Sequence, residues 1–478
     1  MLLPGTHAPE SCRSGIVLFL TVTTLVLGKS PIWAEQRSAE DESEIVDRLS
    51  EVPGLTVVAE NDAPEGFRHF VLEYEQPADH AAPGEQVFSQ RLALLHRGLD
   101  RPTVLHTTGY DVVTEPFRSE PARLVDGNQV STEQRFFGSS RPDPADWSDL
   151  DIRQAATDHH RLIRALGDIY EEEWISTGAS KGGMTSVYHR RFYPGDLDGT
   201  VAYVAPNDAD NQEDSAYLEF FGNVGTDPRC RQDLAALQRE SLERRGDLVA
   251  RYEERAAEQG WTFGGSLPSA DAAFELIVLD TPWHFWQFQT QERCADIPDG
   301  DSSTTEIAEF LGDVYGWYRT HDEAIEPYVP YYYQAASQLG YPSVPTDHID
   351  DLLEYPGLFR AASYLPEGVG TPEFDAEAMS DIDQWVRTRG ERLLFVDGEF
   401  DPWGAESFRV QRGGERDSAR FVAPRANHGA DIEQLAPQDR AAATAMVRRW
   451  AGLKGVPGAP PGHVPELDNP GELARDAP

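Results

Sequence analysis

An α/β fold, a mostly parallel sheet with a helical insertion late in the chain, is predicted by three observations. Short apolar runs of buried-strand type beginning at Thr103, Trp174, Gly199 and Arg392 each break into a turn. Ile152, Ala155, Ala156, His159, Leu162, Ile163 and Leu166 recur at helical spacing ahead of the second run, as the crossover helix of a parallel pair requires. His159 on that face reads as a packed core residue. From about 209 to 380 the alternation stops, and the chain reads as mostly helical and rich in Trp and Tyr.

The elements follow in order. Residues 35–64 are acidic and weakly patterned, read as a helix and an entry loop. Segments 67–74 and 86–95 read as the strands of a hairpin, 103–110 as a strand and turn, and 129–137 as a further strand. After the helix come the strands 174–179 and 199–204, then the helical stretch with its aromatic clusters at 283–288 and 328–333, then strands at 392–397 and 420–423. This divides the chain into a core (35–208 and 381–453) and a cap (209–380) inserted between the sixth and seventh strands. A Pro/Gly-rich acidic tail, 454–478, is expected to be disordered.

The strand at 174–179 runs into Gly178-Ala-Ser180-Lys-Gly182, a G-x-S-x-G pattern. A serine on a sharp strand-to-helix turn is forced into a strained conformation, and flanking glycines remove the Cβ atoms that would clash, so the pattern reads as the nucleophile elbow of an α/β-hydrolase core. Ser180 is the candidate nucleophile. The N–H of Lys181 would face the developing oxyanion, with a second N–H from Tyr110 on the earlier turn. In this fold an acid and then a histidine must follow on later strand ends. Two acids compete after 392–397, Asp397 and Asp401; Asp401 is preferred because it stands beyond the strand end. His428 follows the last strand. His428 would take the Ser180 proton, and Asp401 would fix its tautomer.

The Gly-Ala-Ser-Lys-Gly-Gly elbow, the Asp397-Gly-Glu-Phe-Asp-Pro-Trp-Gly404 loop and Asn427-His-Gly429 together resemble the S37 serine peptidases, secreted tripeptidyl aminopeptidases of Streptomyces type. Gln76-Pro-Ala-Asp-His80, Glu133-Gln-Arg-Phe-Phe-Gly138, Val204-Ala-Pro-Asn-Asp208 and Pro330-Tyr-Tyr-Tyr-Gln334 agree with it. The resemblance implies release of short peptides, tripeptides by the family's habit, from free N-termini, with no cofactor. A weaker likeness extends to the lysosomal Pro-Xaa carboxypeptidase and dipeptidyl peptidase group, which leaves a Pro-specific di- or aminopeptidase open.

Composition suits an exported enzyme. Arg13 precedes an apolar run from Gly15 to Leu27, and cleavage after Ala34 would remove a signal peptide, 1–34, together with Cys12. The remaining pair, Cys230 and Cys294, suggests one disulfide in an oxidising compartment; two buried free thiols are the alternative. With 82 acidic against 41 basic side chains, nucleic acid is excluded as a partner, and a self-repelling, soluble monomer is expected. No His-Glu-x-x-His, Cys-x-x-Cys or phosphate-binding loop supports a metal or nucleotide. Beyond the signal segment only Lys181 and Lys454 remain of the lysines; an ion pair is the expected use of Lys181.

An aminopeptidase needs a carboxylate for the substrate's α-amine. Glu133, near a strand end, is the first candidate, its alternative being an ion pair with an arginine such as Arg135; Asn207 and Asp208 are the second, and Trp403 of the acid loop is a candidate substrate contact. An esterase or lipase would share the Ser, Asp and His but need an apolar acyl slot. A non-catalytic binding protein on this fold has no need of all three in order.

Overall fold

The computed structural model describes residues 44–410, 415–453 and 462–468; the signal-peptide region, 1–34, lies outside them. Nine strands form one sheet in the order β1-β2-β3-β5-β4-β6-β7-β8-β9. They are β1 (Leu55–Asn61), β2 (Arg68–Pro77), β3 (Val87–His96), β4 (Thr103–Thr107), β5 (Asn128–Thr132), β6 (Trp174–Ala179), β7 (Gly199–Tyr203), β8 (Leu393–Gly398) and β9 (Ala419–Ala423). Pairings from β1 to β3 and between β3 and β5 are antiparallel; from β5 onward every pairing is parallel. This is the α/β-hydrolase fold. Strand β1 was not expected from its sequence, because only Leu55 of its residues is buried and its burial does not alternate cleanly. Counting it moves the helical insertion to the connection between β7 and β8.

The parallel strands inside the sheet, β4 to β8, are largely buried on both faces, and the parallel strands end level with one another. Thr107 pairs with Thr132, Ala179 with Tyr203, Tyr203 with Val396 and Gly398 with Ala423. Loops that leave these ends therefore share one edge of the sheet, where sites in such folds lie. Helix α1 (Ile152–Leu166) links β5 to β6 and begins at Asp151, whose side chain caps the Gln154 N–H. His159 is buried on its inner face, bonded to Thr132 at 3.0 Å, and burial first of all pushes its imidazole down to about 3. Helix α2 (Lys181–Phe192) follows β6.

Between β7 and β8 the chain builds a second apolar core around α3 (Ala270–Phe288), with Leu234, Phe274, Phe285, Trp286, Phe310 and Tyr364 among its buried members. Cys230 and Cys294 are joined there in a disulfide. No helix among the described residues is long and apolar enough to cross a membrane.

Of the tail expected to be disordered, 454–461 and 469–478 lie outside the described residues. Residues 462–468 lie against the body: Leu467 is buried and accepts the Arg118 N–H, and Asp468 pairs with the Arg118 guanidinium at 2.6 Å.

Candidate active site

Ser180 sits at φ 54° and ψ −128°, between the last residue of β6 and the first of α2. Such a backbone is strained for a residue with a Cβ and persists because its surroundings impose it. A Cβ on Gly178 would stand 2.4 Å from the Gly182 carbonyl carbon, and one on Gly182 would stand 2.2 Å from the Thr107 oxygen. The turn closes only if both are glycine. The Ser180 N–H donates to Tyr203 O at 2.9 Å, tying the elbow to the neighbouring strand end.

Asp401 and His428 leave the ends of β8 and β9. His428 Nδ1 lies 2.8 Å from Asp401 Oδ2, with the imidazole 6% exposed and the carboxylate fully buried. Asp401 Oδ1 accepts the Trp403 N–H at 3.1 Å, so both oxygens are fixed. The competing acid is engaged elsewhere: Asp397 Oδ2 accepts from Arg420 Nε at 2.5 Å. His428 Nε2 is buried and makes no hydrogen bond. Its loop is docked on α3, where the His428 N–H donates to Gln287 O at 3.1 Å. Gln287 in turn lines the small pocket that holds Ser180, Lys181, Tyr110 and Asp208, and Trp403, which lines it as well, lies 6.4 Å from the His428 ring.

Two N–H groups, of Lys181 and Tyr110, were expected on the oxyanion side. The Lys181 N–H opens α2 and has no acceptor within the helix. Tyr110 lines the Ser180 pocket, but its N–H is turned to Thr108 Oγ1 at 3.1 Å. Among the described residues the Lys181 side chain has no carboxylate partner, against the expected ion pair. Its ammonium is buried, donates to Gly109 O at 2.6 Å, and lies 5.3 and 4.9 Å from the ring centroids of Tyr110 and Phe137; burial lowers its pKa to about 7.

Glu133 does not reach this pocket. It lies one residue beyond β5, fully buried, and its Oε1 accepts from the N–H and hydroxyl of both Ser139 and Ser140. Oε2 takes the Val112 N–H at 3.3 Å. The carboxylate is engaged by the loop it organises and stands outside the Ser180 pocket. The expected ion pair with an arginine is present, but with Arg91, whose Nη1 lies 3.9 Å from Oε2; Arg135 instead makes two bonds to buried Asp158, at 2.7 and 2.8 Å, with His80 on the same carboxylate. The Gln76–His80 and Glu133–Gly138 segments are thus joined by a buried charge network that is structural.

Asn207 and Asp208, after β7, fare differently. Asn207 donates to Asp383 at 3.2 Å. Asp208 is 4% exposed, lines the Ser180 pocket, and leaves Oδ2 buried with no partner. Burial first, then the charges of Glu406, Asp214 and Asp210, push its carboxyl up to about 7. A Cβ on Gly340, which has φ 81°, would stand 2.0 Å from this Oδ2, so only glycine lets the two segments meet there.

Beyond the Ser180 pocket opens a chamber of about 290 Å³ that shares Gln287, Tyr331, Pro342 and Trp403 with it. Tyr315, Tyr332, Tyr341 and Trp283 line its walls, and Asp280 and His284 are its acidic and imidazole groups. The sequence reading singled out the 283–288 aromatic cluster but not Asp280, whose signal was its helical spacing to Trp283, His284 and Gln287.

A model of the family described as PS-10 peptidase S37 matches residues 38–464. The chain is 51% identical over 445 residues to the prolyl tri/tetrapeptidyl aminopeptidase of Streptomyces mobaraensis, covering 93% of this chain and 92% of that protein. Among solved structures it is similar to the proline iminopeptidase of Mycobacterium smegmatis (13% identity, TM-score 0.39, covering 80% of this chain and all of that one). The prohormone-processing carboxypeptidase Kex1(Δ)p of Saccharomyces cerevisiae matches at 10% identity and TM-score 0.38, over 84% of this chain and 93% of its own.

Proposed function

The chain belongs to the PS-10 peptidase S37 family and is a serine peptidase, and from that premise we propose that it releases tri- or tetrapeptides from free N-termini through an acyl-enzyme on Ser180. The observation that carries the reading is the Asp401–His428 pair at 2.8 Å, whose buried Nε2 has no partner and whose loop rests on the wall of the Ser180 pocket. His428 Nε2 takes the Ser180 proton as Oγ attacks the scissile carbonyl, and returns it to the leaving amine. The tetrahedral oxyanion meets the Lys181 N–H, with the Tyr110 N–H joining once it leaves Thr108. Water then hydrolyses the ester by the same route.

The insertion between β7 and β8 supplies the aromatic chamber, a wall on which a proline ring packs well, in keeping with the prolyl specificity in the Streptomyces relative's name. Of the residues expected to hold the substrate amine, Asp208 reaches the Ser180 pocket itself with an unsatisfied buried carboxylate oxygen, so it suits the amine of an acyl segment shorter than three residues. We place the protein outside the cell as a monomer after loss of residues 1–34, on the sequence pattern. The test is a series of aminoacyl to tetrapeptidyl anilides, free and N-acetylated, with proline or alanine before the anilide. Tri- and tetrapeptidyl substrates with free amines and proline should be turned over best. Equal turnover of acetylated twins, or preference for acyl esters over all peptides, would overturn the reading.

A further inference from the structure

Asp280, Trp283, His284 and Gln287 are spaced 0, 3, 4 and 7 along α3, so they share one helix face, and all four line the chamber. The Gln287 end of this face is fixed to the reaction centre, because its carbonyl holds the His428 N–H and its residue also lines the Ser180 pocket. Asp280 lies seven residues back, about 10 Å along a helix that rises ~1.5 Å per residue. Three extended peptide residues span about the same length, at ~3.3–3.6 Å each.

The Asp280 end carries charge that the protein leaves open. Among the described residues its one ionic contact is His284 Nδ1 at 3.2 Å, and the buried His284 ring makes no hydrogen bond to them through either nitrogen. Arg319 also lines the chamber, with its guanidinium 5.4 Å from the Tyr318 ring centroid. Burial first and the Asp280 charge second hold the phenols of Tyr331 and Tyr364 above their usual range. A carboxylate among aromatic faces is the chemistry that binds an ammonium ion.

Resting on the aminopeptidase reading above, we propose that Asp280 is the subsite for the α-ammonium of a three-residue acyl segment, with α3 as the ruler that sets the count from Ser180. Asp208, in the Ser180 pocket itself, is then the near register, which meets the amine of a shorter segment.

The test uses tripeptide boronic acids, which bind a serine nucleophile without turnover, each with a free or an acetylated N-terminus. The wild-type enzyme should bind the free form on the order of 100-fold more tightly, the scale of a buried charge pair. Asp280→Asn should close this gap to within a few-fold, Asp280→Glu should keep part of it, and Asp208→Asn should leave it open. Each comparison is a ratio within one variant, so partial misfolding does not move it. A gap that survives Asp280→Asn, or one that Asp208→Asn closes, overturns the assignment of Asp280. A wild-type enzyme with no gap overturns the aminopeptidase reading instead.

Discussion

Asp401, and not Asp397 four residues earlier, holds His428: its Oδ2 lies 2.8 Å from Nδ1, while Asp397 is bonded to Arg420. Ser180→Ala, Asp401→Asn and His428→Ala should each lower kcat by about 10⁴-fold or more, without adding in combination. Asp397→Asn should keep kcat within about tenfold of wild type. Steady-state rates alongside urea midpoints separate catalysis from folding, and an inactive Asp397→Asn with an active Asp401→Asn would reverse the assignment.

The elbow and the two later loops were legible because chemistry restricts them: glycine is the residue that fits beside Ser180, and the acid and histidine must follow at parallel strand ends. Glu133 misled because a carboxylate at a strand end looks the same in sequence whether it faces the cleft or ties down its own loop; the donors of Ser139 and Ser140 decide it. Lys181 misled similarly, since a buried lysine can be held by a carbonyl and two rings as well as by an acid. Asp280 was hidden because its partners in space come from several helices of the insertion, where periodicity identifies core but not which face lines a cavity.

Lys181 pins the Gly109 carbonyl, and so the turn that carries the Tyr110 N–H. Lys181→Met should lower kcat on the order of 10- to 100-fold with little change in KM, the pattern of a contact made in the transition state. Its stability effect has a defined sign. The folded-state pKa is about 7, against ~10.4 in the unfolded chain, so between these values the unfolded state binds more protons and wild-type stability rises with pH. Relative to wild type, the variant should therefore be most favourable below pH 7 and lose ground up to pH 10. Urea titrations at pH 6 and 9.5 that give the same difference would remove the buried-lysine account.

The Cys230–Cys294 bridge closes a loop with a sequence separation of 64 residues inside the insertion. The chain-entropy model gives it roughly 4 kcal/mol at most. Replacing both cysteines by serine should lower the urea midpoint accordingly, and recovery of both as free thiols in non-reducing peptide maps would contradict the bridge.

Asp208 should weaken the fold that contains it. Its carboxyl titrates near 7 in the folded state, raised by burial and then by the neighbouring acids, against ~3.9 in the unfolded chain. Between these values the folded state binds more protons, so stability falls as pH rises from 4 to 7 and stays reduced above. Asp208→Asn removes that loss. The variant should match wild type near pH 4 and exceed it at pH 8 by on the order of 2–4 kcal/mol, while losing affinity for short peptides with free amines. Urea unfolding at the two pH values checks the first half, and an equal difference at both would show that Asp208 ionises in the fold as freely as it does in water.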